Sequence, residues 1–343
     1  MDKAFYQQRP ILGAVSRTAG ILSLLGSGIM IYDIGRNAEK RSKPKDRIVL
    51  SMSICDFLFC FFGPVLGLLM IPSDALPGAL GNQITCNIQG FIYMSSGGAS
   101  SSYNVSLAIN YLLLVKYGWS DERLKKAEPF LHLYPLLHGM MYISAFPLQA
   151  FNTGEVACQV GSSPFYCWLD DSCTRGEKAT EIIFFIIIIG LLQFLAIVVC
   201  MVLLYRAIFN FESADGFRDN PDEDRPVRRD LSNSMRIQGI WYSMSYLLWY
   251  LPTSIQTGIF DILLDVSPLV LRIISRFTFH FIGFSNAIVY FRPRYLILRS
   301  ENPAFGLLTI LRMTIQDQRP PNAVQRRTSV TLTELPSSTT TTS

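Results

Sequence analysis

The stretch Glu181–Arg206 reads EIIFFIIIIGLLQFLAIVVCMVLLYR and has no charged residue between its two ends. A helix needs about 20 apolar residues to cross the hydrocarbon core of a bilayer. The stretch meets that length, and its run FFIIIIGLL at 184–192 leaves no polar face for a soluble helix. It therefore predicts a helix that spans a membrane.

Three other long stretches also lack Asp, Glu, Lys and Arg, namely 75–115, 129–154 and 237–260. Charged residues make up 16% of the 343 residues, against about 25% in an ordinary soluble domain. The mean hydropathy is +0.29. Uncharged stretches of this length and number exceed what a soluble core needs. They exclude a soluble enzyme, a nucleic-acid-binding protein and a disordered scaffold.

The hydropathy pattern predicts seven spans, all helical because an open chain in lipid must satisfy its backbone hydrogen bonds within each segment. The third span contains the polar run MSSGGASSSYN at 94–104. Lipid would not tolerate this run, but neighbouring helices would, since small residues allow close backbone approach. We therefore expect an all-α membrane protein, a bundle of seven transmembrane helices with the third at its centre. The predicted spans are Ile11–Ile34, Ile48–Ile71, Ile84–Val115, Leu131–Ala150, Ile182–Tyr205, Ile237–Phe260 and Pro268–Phe291.

Lysine and arginine are unevenly divided between the two sets of loops. The loops after spans one and three are rich in lysine and arginine and those after spans five and seven in arginine, whereas the loops after spans two and six contain neither. Such an excess marks the cytoplasmic side of a membrane protein. We therefore expect a multi-pass protein of the cell membrane with its N-terminus outside and its C-terminus in the cytoplasm.

Three of the seven cysteines lie inside spans and are predicted to be small buried hydrophobic residues: Cys55, Cys60 and Cys200. The other four fall on the oxidising outer side, where disulfides persist: Cys86, Cys158, Cys167 and Cys173. Four cysteines allow three pairings. We expect Cys86–Cys167 to tie the long outer loop to span three and Cys158–Cys173 to close a second bridge. The alternative is that the four thiols are free.

Ionisable groups at membrane depth are costly and usually functional. Asp56 lies inside span two, and Asn286 and Tyr290 lie four residues apart on one face of span seven, so both can point at Asp56. We expect these residues to form a switch together with Trp249 and Pro252 of the WYLP motif, where proline kinks span six. The alternative is a carboxyl group that simply hydrogen-bonds to a neighbouring Ser or Asn.

Arg272 and Arg276 are four residues apart near the outer end of span seven, and Arg17 is a weaker candidate of the same kind. They either extend to lipid headgroups or face a cavity and meet an anionic ligand. The second reading predicts a ligand site between spans three, five, six and seven. Its other lining residues would be Tyr93, Met94, Thr253 and Thr257. A rival is that these arginines are neutralised within the chain, by Asp261, Asp265 or Glu181.

Enzyme chemistry has little support in the sequence. The histidines are not clustered with carboxylates as a metal hydrolase needs, and no GxSxG or HExxH motif occurs. Span seven has no lysine, which excludes a retinal Schiff base on that helix. We expect no enzymatic activity, no cofactor and no metal site; the three histidines are His132, His138 and His280.

The segment 304–343 is polar, rich in Ser and Thr, and ends in PSSTTTTS, so it is predicted to be disordered. Within it, Arg326-Arg327-Thr328-Ser329 is similar to a basophilic kinase site with Ser329 as the acceptor. Phosphates here would add negative charge that a basic, arrestin-like partner could bind. The alternative is an unmodified, solvated tail.

Short motifs on six of the predicted elements occur in the order typical of one receptor group. They are SLLGSGIMIY at 23–32, RIVLSMSICD at 47–56, CNIQGF at 86–91 with AINYLLLV at 108–115, YCWL at 166–169, WYLP at 249–252 and FSNAIVY at 284–290. The chain thereby resembles the cyclic AMP receptor-like family of G-protein-coupled receptors from slime moulds, fungi and other protists.

The resemblance implies a receptor domain over 1–303, ending in a short cytoplasmic helix, that binds a small extracellular ligand and activates a heterotrimeric G protein. A cyclic nucleotide is one ligand that it suggests. The chain departs from animal receptors at the end of span three, where Asn110 and Tyr111 stand in place of the Asp-Arg-Tyr motif. These two residues and Lys116 are the candidate G-protein contacts, and Lys116 is a candidate replacement for the missing arginine. Ala287 replaces the usual proline of span seven, and span four lacks a central tryptophan.

Two other functions compete with the receptor. A seven-helix transporter or channel often shows internal repeats and interrupted helices, and no internal repeat is evident here. An orphan scaffold that binds a G protein without any ligand is the third possibility. Nucleotide exchange on a G protein, compared with ion current across the membrane, separates the first two.

Overall fold

The computed structural model describes residues 2–164, 167, 172–215, 225–256 and 268–316. Helices account for nearly all of the regular structure. They are α1 Asp2–Arg36, α2 Ala38–Arg41, α3 Pro44–Cys60, α4 Gln83–Val115, α5 Asp121–Met140, α6 Ala179–Asp215, α7 Arg225–Ser254, α8 Leu269–His280, α9 Ile282–Glu301 and α10 Leu307–Gln316. The seven predicted spans are largely helical over their described residues, although the helical part of the fourth ends at Ala145. This confirms the all-α bundle.

Several of the predicted spans are less regular than a single α-helix, and the fourth continues past α5 as a 3-10 helix, Met141–Ala145. After α3 the second span continues as a π-helix, Phe61–Val65, and a 3-10 turn, Gly67–Leu69. Pro64 lies in this segment and supplies no backbone N–H, so an unbroken α-helical ladder is not available there. The seventh span breaks at Phe281 into α8 and α9, and the N–H of Gly283 donates to Ser23 Oγ of α1 at 2.9 Å.

The third span is central, as its small polar residues predict. Most of α4 from Ser96 to Tyr111 is buried, including the serines at 100–102. This helix packs against α3, α5, α6 and α7. In contrast, α6 exposes a broad apolar face formed by Phe184, Phe185, Ile188, Leu191, Leu192 and Leu195. The burial pattern is that of a bundle whose small and polar residues face inward and whose large apolar residues face lipid.

By length and apolar composition, three helical stretches among the described residues qualify as membrane spans: Gln8–Arg36, Pro44–Val65 and Ala179–Ala207. The other predicted spans carry more small and polar residues, as the serine-rich centre of α4 does. Their place in the bundle follows from packing against the three apolar helices.

A short β-hairpin lies between α5 and α6. Strand β1, Phe151–Thr153, pairs antiparallel with β2, Cys158–Val160, and Thr153 is opposite Cys158. The hairpin packs against α4. We call the end of the bundle that carries the hairpin the outer end, following the predicted orientation, and the opposite end the inner end.

The chain forms two compact units, Met1–Tyr290 and Phe291–Ser343. The second contains α10, which falls inside the segment 304–343 for which composition predicts disorder. For these ten residues the prediction is wrong, because the apolar residues of LLTILRMTIQ recur at helical spacing and bury Ile310. The remainder of the predicted tail, including Ser329, lies outside the described residues.

Close approach of α1 to α9 gives a first testable prediction. A Cβ atom on Gly26 would lie 2.8 Å from the Cα of Phe284 and 3.2 Å from the Cβ of Ala287, so one helix would have to move. We expect Gly26→Ala to lower the free energy of unfolding by about 1–3 kcal/mol, measured as a lower unfolding temperature in detergent. Gly13→Ala, in the same helix with nothing within 4 Å of the added atom, should be neutral. Equal unfolding temperatures for the two variants would contradict this packing.

Candidate functional site

The predicted disulfide pairing is wrong, although all four outer cysteines are bonded. Cys86 pairs with Cys158, with Cα atoms 5.4 Å apart, and Cys167 pairs with Cys173, with Cα atoms 4.8 Å apart. The reason is the hairpin register, which places Cys158 at the first turn of α4, where its N–H donates to Gln89 Oε1 at 2.9 Å. The loop is therefore tied to α4 through the hairpin. The three cysteines inside spans are free; Cys60 and Cys200 are buried, as expected, whereas Cys55 is only partly buried.

The two arginines of the predicted ligand site face a carboxylate of the same chain. Arg272 Nη2 is 2.6 Å from Oε1 of Glu155, and Arg276 Nη2 is 2.5 Å from Oε2. The side chains are largely buried, with exposed fractions of 11%, 20% and 10% for Arg272, Arg276 and Glu155. Neutralisation of these arginines within the chain, the rival prediction, is therefore observed, and Glu155, which that prediction did not name, supplies the carboxylate. Glu181 is exposed, and the other two candidates, Asp261 and Asp265, lie outside the described residues.

A third arginine holds the turn on which Glu155 lies. Arg9 of α1 donates from Nε to the carbonyl of Glu155 at 2.9 Å and from Nη2 to the carbonyl of Gly154 at 2.5 Å. Burial alone would raise the pKa of Glu155, but the charges of Arg276 and Arg272 outweigh it and hold that pKa below its usual range. The stability that this ion pair contributes is thus complete at neutral pH and is lost as the pH falls below the ordinary pKa of a glutamate.

The hairpin turn packs against residues of the predicted ligand site. Ala157 is fully buried and packs with Phe59, Cys60 and Tyr93. Met94, also predicted to line the site, lies partly buried against the same cluster. The region assigned to a ligand from the sequence is therefore occupied, at its outer edge, by residues of the hairpin.

A histidine links the arginines to the centre of the bundle. His280 Nδ1 is 2.9 Å from the carbonyl oxygen of Arg276, and His280 Nε2 is 3.2 Å from the hydroxyl of Tyr93. The ring stacks on Phe59 and is fully buried. Because Phe279, its neighbour in α8, packs edge-on against Trp249 of α7, the contacts of α8 extend to the predicted switch tryptophan.

The remaining predicted residues of the outer site lie on α7. Thr253 donates to the carbonyl of Trp249 at 2.9 Å and lies 3.3 Å from Ser275 Oγ of α8. Pro252 lies inside α7, two residues before the helix ends at Ser254. Thr257 lies outside the described residues.

The central polar junction forms around a contact between α3 and α9. Asp56 is fully buried, its Oδ2 accepts a hydrogen bond from Asn286 Nδ2 at 3.0 Å, and its Oδ1 accepts one from Ser100. Asn286 also accepts from Ser245 of α7 at 3.2 Å. The predicted contact between Asp56 and Asn286 is confirmed, and Ser100 and Ser245 add two further helices to the junction.

Tyr290 was expected beside Asp56, but its hydroxyl donates to Oδ2 of Asp33, on α1, at 2.8 Å. The same Oδ2 atom is 2.8 Å from Lys40 Nζ, and Arg36 lies 3.5 Å from Oδ1. The prediction is wrong because one helical turn separates Asn286 from Tyr290 along the bundle axis, which brings the tyrosine level with the inner end of α1.

At the inner end, Asn110 and Tyr111 are fully buried. Neither the amide of Asn110 nor the hydroxyl of Tyr111 has a hydrogen-bond partner among the described residues, and the same holds for the Tyr242 hydroxyl of α7. A buried unpaired polar group costs about 1–3 kcal/mol and calls for an explanation such as an absent partner. Lys116 is exposed, and its ammonium lies 5.3 Å from the centre of the Tyr117 ring.

Several functional contacts were missed from the sequence. Glu155 and Asp33 each lie at the edge of an uncharged stretch, which is a usable signal for a partner at a helix end. Gln193 is the one amide in the apolar stretch 182–205, and it bonds Ser101 at 2.6 Å and Ser102 at 2.8 Å. An ion pair between Arg47 and Glu128 joins α3 to α5, and no feature of the sequence predicts it. The hydrogen bond from Arg47 holds the pKa of Glu128 below its usual range.

Comparison with known proteins places this arrangement in one fold. The structure is similar to the crystal structure of squid rhodopsin, with a TM-score of 0.61 and 17% sequence identity, over 98% of this chain and 93% of that one. The likeness shows a shared seven-helix fold. No protein-family model matches the chain, and no curated protein matches it in sequence. Within the described residues there is no group of three His, Cys, Asp or Glu side chains that could hold a metal ion.

Proposed function

We propose that the protein is a G-protein-coupled receptor of the cell membrane, which binds a small extracellular ligand at its outer end and activates a heterotrimeric G protein at its inner end. One observation carries the proposal. A single helix pair, α8 and α9, supplies a polar contact at every level of the bundle. These contacts are Arg272 and Arg276 with Glu155, His280 with Tyr93, Asn286 with Asp56, and Tyr290 with Asp33.

These contacts form a polar column along α8 and α9, from the outer end towards the inner end. Such a column is suited to carrying a signal across the membrane. A ligand shifts an equilibrium only through its different affinities for the two states. A ligand that engages Arg276 acts on the residue whose carbonyl oxygen contacts His280. From there α8 leads to the junction of Asp56 and Asn286, which joins three other helices. Displacement of this helix pair is the motion that we assign to signalling.

The arginine pair favours an anionic or polar ligand, and the resemblance to cyclic AMP receptor-like proteins makes a cyclic nucleotide one candidate. At the inner end, Asn110, Tyr111 and Lys116 are the proposed G-protein contacts. Their support is the unpaired, buried amide and hydroxyl of the first two, which a partner or an opened inner end would satisfy. We also propose that a kinase modifies Ser329 and that an arrestin-like protein binds the phosphorylated tail.

The competing function is transport or conduction. Polar groups through the middle of a pore should face water, whereas His280, Asp56 and Asn286 are buried and bonded to protein groups. This observation favours the receptor.

Exchange of GDP for a non-hydrolysable GTP analogue on purified heterotrimeric G proteins tests the proposal. Membranes that contain the protein are challenged with a panel of small anions that includes cyclic AMP. We expect at least one G protein to exchange severalfold faster than in membranes without the protein, and Arg276→Ala to reduce ligand potency by about 10–100-fold, with partial recovery in Arg276→Lys. Exchange equal to the blank for every G-protein class, with ion current or solute flux present, would support the transporter instead.

A further inference from the structure

The anion site at the outer end is filled by the protein itself. Glu155 is the single residue of the hairpin turn that carries a charge, and its two carboxylate oxygens are divided between Arg272 and Arg276. Each guanidinium lies at hydrogen-bonding distance from a different oxygen. A free carboxylate or phosphate group would present the same pair of oxygens to the same two arginines.

Glu155 belongs to a turn and not to one of the helices that form the site. It lies on a four-residue turn between β1 and β2, where the Gly154 N–H donates to the carbonyl of Ala157 at 3.0 Å. The covalent anchor of the hairpin is Cys158 at its base, bonded to Cys86. Arg9 and this disulfide hold the backbone of the turn, so the step that frees the two arginines is rotation of the Glu155 side chain, with the hairpin still attached to α4.

Exchange of one anion for another avoids the main cost of breaking a buried ion pair. Removing Glu155 alone would leave two buried guanidinium groups without this partner, which is strongly unfavourable. An incoming anion keeps both groups bonded, and the released carboxylate gains water. The free energy of exchange then depends on how strongly each of the two anions binds the arginines. The cost of burying an unpaired charge does not enter, because an anion is bound in both states.

We propose that Glu155 is a competitor built into the chain, which occupies the anion site of Arg272 and Arg276 until a carboxylate or phosphate group of an external ligand displaces it. The inference rests on the proposed function only in taking this site as the ligand site. It assigns the hairpin a further role, since the affinity for an external anion depends on how tightly the carboxylate of Glu155 is held against the two arginines.

Glu155→Gln tests the proposal because it keeps the size of the side chain and removes its charge. The full-length protein is purified in detergent, and its unfolding temperature is measured against increasing inorganic phosphate or propionate at constant ionic strength. We expect the half-saturating concentration of at least one probe to be tenfold or more lower in Glu155→Gln than in the unmodified protein. The two probes distinguish a phosphate site from a carboxylate site.

Two controls separate this effect from a general salt effect. Glu177→Gln removes an exposed acid from the same outer loop and should behave as the unmodified protein. Arg276→Gln added to Glu155→Gln should abolish the dependence on the probe. If Glu155→Gln does not fold, Glu155→Asp, whose carboxylate is one methylene shorter, should show a smaller shift in the same direction.

The proposal is overturned if neither probe stabilises Glu155→Gln, or if both probes act at equal concentrations on it and on the unmodified protein. This measurement contains no G protein. A tighter anion site without any nucleotide exchange would therefore count against the receptor function and leave the competition intact.

Discussion

The variant Asp56→Asn should raise basal nucleotide exchange on the G protein by about tenfold, the largest functional effect that we expect from a single substitution. Asp56 accepts hydrogen bonds from Asn286 and Ser100, and thereby joins α3, α4 and α9. Asparagine has one acceptor oxygen, so it cannot accept hydrogen bonds from Asn286 and Ser100 on two separate oxygens as the carboxylate does. Loss of a buried hydrogen bond of about 1.4 kcal/mol corresponds to tenfold in the balance of two states.

Affinity at the outer site should change much less than signalling does. The arginine pair and Glu155 are held by contacts that do not involve Asp56. We therefore expect the half-saturating phosphate or propionate concentration, measured with Glu155→Gln as the background, to stay within about twofold. Asp74→Asn makes the same chemical change at an exposed position and is the matched control. Unaltered exchange in both Asp56→Asn and Tyr290→Phe would remove the polar column from the mechanism.

The sequence predicts the fold well because hydropathy acts on long segments. An uncharged stretch of about 20 residues has few alternatives to a membrane helix. The serine-rich run of α4 can be placed at the centre by elimination, since lipid would not accept it. The same logic located the contact between Asp56 and Asn286, because a buried carboxyl group requires a donor and the amide is at the right depth.

The contacts that were mispredicted depend on registers and loop paths that hydropathy does not encode. Tyr290 was expected at the level of Asp56, one helical turn nearer the outer end than its observed contact. Only the position of Asp33 shows where its hydroxyl bonds. Glu155 was overlooked because the hairpin brings a loop residue onto α8, 117 residues later in the chain than itself. No proline in the sequence marks the break at Phe281. The hydrogen bond from Gly283 to Ser23 can be recognised only once α1 and α9 are packed together.

Cys86→Ala is expected to give the largest loss of stability. The Cys86–Cys158 bond joins residues 72 positions apart, whereas Cys167–Cys173 spans six. Loop-closure entropy of the unfolded chain then assigns about 4 kcal/mol to the first bond and about 2 kcal/mol to the second. Both Cys86→Ala and Cys158→Ala should therefore reduce the amount of protein at the cell surface severalfold and lower the unfolding temperature in detergent.

The contrast between the two bonds tests the pairing as well as its strength. Cys167→Ala and Cys173→Ala are the matched controls, since they remove a bond that closes only a small ring. The double variant Cys86→Ala/Cys158→Ala should be no less stable than either single variant, because both changes break one bond. Peptide mapping of the unreduced protein should recover the Cys86 and Cys158 peptides linked to each other. Recovery of Cys86 linked to Cys167 would overturn the anchoring of the hairpin. In that case the turn that carries Glu155 would have no covalent tie to α4, and the competition for Arg272 and Arg276 would lose its structural basis.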